Sequence, residues 1–427
     1  MVMKRNHTIF LLLAAALGLS LESCNKEMFN QQLYNEIITQ QFPIDPIDDT
    51  HNWELSTRRS IVIKANAKME NMEKVMVLSK NPLTSSDAQI MAEAEATTEG
   101  GLHTLLFAAP SSQTSFYAAV KTTDKQYAVV PFTTSNSQVS FEDKTTGTLT
   151  SDLDYYSFTY CFEENFPEPG DYDFNDCVMR MSVMPGTKKN QVKLIVTLAA
   201  AGAKRQIAAA VRLKGCNADD IESVEIEEGK AFDDGYPLTL RSIPDGSTFQ
   251  RGRDEKQPVI RLFEDAMWCL IREQASDNGV LNRYYVNVSR AESETFKKAD
   301  PVKRTYIINF KESSSAASML QNILTDNLDP FIVTPYNNNY WETHTYQDRL
   351  AQVLYEYHDQ TSIHITWALG VPSGTFRWPL EAQLIGSYKD GVLTGAYRKD
   401  GHSFGEWAAK KENSRDWFLY PTTSEVY

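Results

Sequence analysis

Between residues 58 and 142, apolar side chains recur at every second position in one short segment after another. That period fits a strand with one face buried. "RRSIVIKAN", "HTLLFAAP" and "TSFYAAVKT" alternate, while "KVMVLSKNP" and "QYAVVPFT" are short apolar runs bounded by turn residues. The spacing predicts an antiparallel β-sandwich over residues 55–145. "SSDAQIMAEAEAT" is the exception; it looks helical, with Asp87 near its start. "EDKTTGTLTSD", from Glu142 to Asp152, reads as a polar linker.

The strand pattern resumes at Tyr155 with "YYSFTYCFEE", "CVMRMSV", "QVKLIVTLAAAG" and "QIAAAVRLKG", and later with "RYYVNVSRA" and "RTYIINFKE". "ASMLQNIL" and "QDRLAQVLYEYHD" read as short helices, and "FGEWAAKKE" as a terminal helix turn packed by Trp407. The very acidic stretch from Asp219 to Asp234 reads as a solvated strand edge and loops. The predicted fold is mostly β: an N-terminal antiparallel β-sandwich, then a larger β-rich domain over residues 146–427 with a few short helices. The 20 Tyr and 20 Phe agree with that class.

The N-terminus follows a different logic. Lys4, Arg5 and His7 precede an apolar run, Ile9 to Leu21, that is short for a bilayer span. "LESC" then resembles a bacterial lipobox, with Glu22 an unusual occupant. Residues 1–23 are therefore expected to be a lipoprotein signal peptide and Cys24 the lipidated residue, an anchor that needs no transmembrane helix. Residues 24–54 follow as a tethered segment and linker, with a short helix over Asn25–Gln41 and then the Pro- and Asp-rich "FPIDPIDDTHNW". Lys26-Glu27 resembles the surface-export signal of Bacteroidota lipoproteins. The expected location is the outer membrane, lipid-anchored at the cell surface, with the periplasmic face as the alternative. The net charge of −14 becomes one unit more negative once the signal is removed, which excludes nucleic acid as a partner.

"GDYDFNDC", Gly170 to Cys177, crowds Asp171, Asp173, Asn175 and Asp176 into one short stretch, with Glu163, Glu164 and Glu168 upstream. Like charges this close repel unless a cation or good solvation holds them. Alternating oxygen-bearing residues are what a hard cation such as Ca²⁺ requires. The stretch is not an EF-hand, because Asp176 stands where that loop needs Gly and Ser182 where it needs Glu. The predicted calcium ligands are Asp171, Asp173, Asn175 and Asp176, with Glu163 or Glu164 added from the incoming strand. The alternative is a turn whose side chains bond their own backbone.

Other patterns carry less. "GHSFG" fits a nucleophile elbow around Ser403, but no apolar strand leads into it and no His follows His402, so a hydrolase is rejected. His344, His358 and His364 read as isolated surface residues. Trp341, Tyr346, Trp367, Phe376 and Trp378 read as core in preference to a sugar-stacking platform. Cys161, Cys177, Cys216 and Cys269 allow two disulfides or four buried thiols, with Cys161 and Cys177 on neighbouring strands.

"CFEENFPEPGDYDFNDCVMRM" resembles the signature of the LruC-domain lipoproteins of Bacteroidota. "VKLIVTLAAAGAK", "VRLKG", "NLDPFI", "TWALGVPSGTFRWPLE" and "FGEWAAKKENSRDW" resemble later blocks of that domain, and "IDPIDDTHNW" the approach to the preceding sandwich. Cys177 replaces the usual aliphatic residue, and "VTPYNNNYWETHTYQ" departs from the family block. The resemblance implies an envelope lipoprotein with a β-rich domain and no established activity. The resulting expectation is a non-enzymatic lipoprotein with a calcium-binding loop that displays a binding or adhesion surface. A glycan-binding accessory protein for polysaccharide uptake and a structural component of a surface assembly are the alternatives.

Overall fold

The computed structural model describes residues 40–48, 50–96, 99–166, 168–202, 204–227, 249–251, 257–272, 300–311, 328–336, 339–345 and 366–427. Cys24, Lys26-Glu27, most of the helix expected over residues 25–41, "RYYVNVSRA", "ASMLQNIL", "QDRLAQVLYEYHD", Tyr346, His358 and His364 lie outside the described residues. The chain is mostly β, as the alternation predicts.

The first unit contains β1 (Ser56–Lys64), β2 (Met72–Leu78), β3 (Gln89–Glu95), β4 (Leu102–Pro110), β5 (Ser115–Thr122), β6 (Gln126–Thr133), β7 (Gln138–Val139), β8 (Thr145–Thr148) and β9 (Asp154–Tyr155). A sheet ordered β4-β1-β7 faces one ordered β8-β6-β5-β2-β3-β9. Alternate residues meet between them: Ile61, Ile63 and Phe107 from the first sheet, Val75, Val77, Phe116 and Val130 from the second. The helix expected at "SSDAQIMAEAEAT" is absent. Its centre is β3, paired antiparallel to β2 and parallel to β9, so ladder pairing overrides local preference. The expected linker at Glu142–Asp152 is also corrected, because β8 inside it pairs with β6.

The second unit pairs two larger sheets. One is ordered β14-β17-β12-β11-β10-β20, from β10 (Ser157–Phe162), β11 (Cys177–Pro185), β12 (Gln191–Ala201), β14 (Ile221–Glu227), β17 (Val302–Phe310) and β20 (Ala368–Val371). The other is ordered β15-β16-β13-β18-β19, from β13 (Ala208–Leu213), β15 (Phe249–Arg251), β16 (Pro258–Phe263), β18 (Leu328–Tyr336) and β19 (Asn339–His344). Met179, Val196, Leu198, Val211, Ile260, Tyr306 and Ile332 belong to the core they share. β14 is an edge strand, as its acidic sequence suggests.

The C-terminal segment adds the hairpins β21 (Ser387–Lys389) with β22 (Val392–Thr394) and β23 (Arg398–Lys399) with β24 (His402–Ser403). The short helix at Phe404–Ala409 follows. Trp407 and Trp417 are fully buried here, 5.8 Å apart, and truncating either would cost about 3–5 kcal/mol. Phe42 and Trp53 join the same core, and Asp45 N–H donates to Tyr388 O at 2.8 Å while Tyr388 N–H donates to Pro43 O at 3.0 Å. Phe42, Ile44, Trp53 and Leu55 thus pack into the fold, so this stretch is not a free linker. Among the described residues no helix is long and apolar enough to cross a membrane.

Candidate metal centre

β10 and β11 are neighbouring antiparallel strands with Phe162 opposite Cys177, so the acidic stretch is the connection between them. Its aromatic residues set its path. Tyr172 packs edge-on against Phe42 at 5.1 Å, and Phe174 lies 6.3 Å from Phe404. To reach those positions Tyr172 and Phe174 adopt left-handed φ values of 55° and 53°, each at a cost of about 1–3 kcal/mol. This winding turns the intervening Asp173, and Asn175 beyond it, into the protein, where they are 1% and 0% exposed.

Ligand atoms of Glu163, Asp171 and Asp173 lie within 4.8 Å of one another, with Glu163 and Asp173 buried and Asp171 at the exposed rim. Glu163 Oε1 accepts from Phe174 N–H at 2.6 Å, whereas the buried Oε2 has no hydrogen-bond donor among the described residues. Asp173 Oδ1 accepts from Asn175 N–H at 3.2 Å and Oδ2 from Ala382 N–H at 2.8 Å. Asn175 Nδ2 donates to Pro379 O at 3.2 Å, and Asp176 Oδ2 accepts from Glu164 N–H at 2.8 Å. A self-bonded turn accounts for Asp173 and Asp176 but leaves Glu163 unexplained.

Burial is the largest influence on each of these carboxyls and favours the neutral acid. It lifts Glu163 well above the usual carboxylate range, and the nearby charges of Asp176, Asp173 and Asp171 add to the effect. Asp173 is raised likewise by burial and then by Asp171, Asp176 and Glu381. Asp176 is pushed up to about 8, burial again first, despite the stabilising hydrogen bond from Glu164 N–H. A divalent cation among these groups would convert repulsion into attraction, and carboxylate oxygens are the donors that Ca²⁺ takes.

Two residues stand differently from expectation. Glu164 is turned away: its carboxylate accepts from Lys204 N–H at 3.0 Å and Arg205 N–H at 2.5 Å. Glu381, which sequence reasoning missed, brings a carboxylate near Asp173 and Asp176 from far along the chain. Its sequence setting, "WPLEAQ", carries no sign of this.

The remaining candidates have structural roles. Ser403 caps the helix at Phe404–Ala409, accepting from Glu406 N–H in a reciprocal capping box, which explains the elbow-like motif. Trp367, Phe376 and Trp378 are buried core, as expected, with Trp341 partly buried against it. His344 is not a surface residue. It is buried, with Nδ1 2.9 Å from Asp329 and Nε2 3.3 Å from Glu342; burial, the largest single influence, lowers its pKa, but the two acids together outweigh it and the net shift is upward. Cys161, Cys177, Cys216 and Cys269 are buried, and no disulfide joins them. Cys161 lies opposite Val178 and Cys177 opposite Phe162, which puts the two thiols on opposite faces of the sheet.

No curated protein matches the chain. A crystal structure described as "a Putative lipoprotein from Bacteroides ovatus" superposes with a TM-score of 0.55 at 14% identity, covering 84% of this chain and 99% of that one, a likeness of fold. The B domain of a biofilm associated protein aligns over 87% of this chain and 94% of its own at 10% identity with a TM-score of 0.18. The acidic connection precedes the region matched by a family, whereas Pro379–Ile385 falls inside it. With residues 189–418 matched, more than half of its length, the chain belongs to the family described as Domain of unknown function (DUF4842).

Proposed function

We propose that this protein is a non-enzymatic, lipid-anchored envelope lipoprotein whose acidic connection holds a structural Ca²⁺ and whose β-rich body displays a binding or adhesion surface. The observation that carries the calcium reading is Glu163 Oε2, fully buried, without a donor among the described residues, and gathered with Asp171 and Asp173. The lipobox-like "LESC" that ends in Cys24 supports the anchor, and the Bacteroides ovatus neighbour, itself described as a lipoprotein, is in keeping with it. The use of Ser403 as a helix cap favours a non-enzymatic role. A glycan-binding surface draws no support from Trp367, Phe376 and Trp378, which are buried and not presented for stacking.

Calorimetric titration of metal-free protein with Ca²⁺ tests the reading. A saturable one-site isotherm, with stabilisation of about 3 kcal/mol at a hundredfold excess over Kd, is expected. Mg²⁺ should substitute poorly, because it dehydrates reluctantly and demands regular octahedral geometry. Absence of binding would reduce the stretch to a proton-sharing carboxylate cluster.

A further inference from the structure

The acidic connection does more than gather carboxylates. Three of its groups in turn grip one distant stretch of chain: Tyr172 O accepts from Ile385 N–H at 2.9 Å, Asp173 Oδ2 from Ala382 N–H at 2.8 Å, and Asn175 Nδ2 donates to Pro379 O at 3.2 Å. Asp173 thus belongs both to the carboxylate cluster and to the grip. Left-handed backbone occurs on both sides of this contact, at Tyr172 and Phe174 and again at Ala382, where φ is 58°.

Resting on the cation reading above, we propose that the ion held by Glu163, Asp171 and Asp173 is a clasp that fastens Pro379–Ile385, and through it the C-terminal segment, onto the larger sandwich. With the cation in place, Asp173 is fixed at the position from which its Oδ2 accepts from Ala382 N–H, so the ion and the clasped stretch share one carboxylate. Without it, nothing draws the carboxylates of Glu163, Asp171 and Asp173 to a common centre, and the hold of Asp173 on Ala382 N–H loosens. The grip is polar and local, whereas the core around Trp407 and Trp417 is apolar and independent of charge. Release should therefore open the stretch without unfolding the sandwiches.

Hydrogen exchange of the full chain, with Ca²⁺ or with chelator, reads this directly. Chelation should accelerate exchange of the Ala382 and Ile385 amides by at least about tenfold while the β1–β4 ladder stays within about twofold. The Glu381→Gln variant should bind Ca²⁺ about tenfold more weakly, since it removes from the clasped stretch a negative charge that acts on Asp173 and Asp176, and coupling between ion and stretch is reciprocal. If calorimetry shows Ca²⁺ binding but exchange at Ala382 and Ile385 is unchanged, the clasp is overturned and the cation reading stands. Equal acceleration throughout the chain, or unchanged affinity in Glu381→Gln, also overturns the clasp. Failure of metal-free protein to bind Ca²⁺ overturns both.

Discussion

Gly170 lies so close to Glu163 that a Cβ built on the glycine would sit 2.0 Å from Oε2, the buried oxygen that has no donor among the described residues. A methyl there must expel the carboxylate or move the loop. Gly170→Ala should therefore destabilise the protein by about 1–3 kcal/mol and weaken Ca²⁺ binding, because it displaces a ligand. Melting curves and a Ca²⁺ titration on the same preparation check this, and wild-type behaviour in both would separate Glu163 from the centre.

Asp173→Asn should have unequal effects in the two metal states. In chelator it removes a buried acid that its neighbours oppose but leaves one acceptor for the two N–H groups of Asn175 and Ala382, so the two effects offset and the variant should melt within about 1 kcal/mol of wild type. With Ca²⁺ present it should melt below wild type, and the stabilisation by the ion should largely disappear. A variant less stable than wild type by the same amount in both states would refute this.

The raised carboxyls give calcium binding a definite pH dependence. Glu163, Asp173 and Asp176 hold protons above their ordinary range, so Ca²⁺ must displace protons, and affinity should rise with pH from about 5 to 8. Without the ion, Asp176 at about 8 stabilises the fold fully below its ordinary value of 3.8. That contribution is lost as pH climbs through about 8. Calorimetry in buffers of different ionisation enthalpy counts the released protons; a pH-independent affinity would contradict the assignment.

His51 sets a second, metal-independent pH window. Its Nδ1 accepts from Trp53 N–H at 2.9 Å, so the proton sits on Nε2, 3.0 Å from Trp407 O, and the ring is neutral. Burial lowers its pKa from 6.5 to about 4 against the attraction of Asp48 and Glu412, with Lys411 reinforcing the shift. The unfolded chain takes up a proton first, so stability should fall as pH drops from about 6.5 to 4, by at most about 3 kcal/mol. Subtracting the pH–stability curve of His51→Gln from that of wild type isolates this slope; identical slopes would show the ring to be uninvolved.

Membrane placement is tested in cells. Cys24→Ser should move the protein from the membrane to the soluble fraction, and protease added to intact cells should remove the wild-type protein if the surface location is right. Protection with a verified intact outer membrane would indicate the periplasmic face. Persistent membrane association of Cys24→Ser would argue against a lipid anchor.

The strands were legible in the sequence because a period of two, repeated between turn residues, exposes one face of the chain to water and hides the other. That logic reached β1, β4, β5 and the β10–β11 pair with the acidic connection between them. It failed at β3 and β8, where pairing with β2 and β6 decided the outcome over local composition. The acidic stretch itself could be picked out, since repulsion among Asp171, Asp173 and Asp176 follows from their spacing alone. Which carboxylates meet could not be read there. Glu163 and Glu164 are adjacent, yet one turns into the cluster and the other to the Lys204 and Arg205 amides. That choice, and the arrival of Glu381, depend on where Tyr172 and Phe174 find their aromatic partners and on the return path of a distant segment. Local periodicity encodes which face of a strand is buried, but the convergence of charges across more than two hundred residues exists only once the chain is packed.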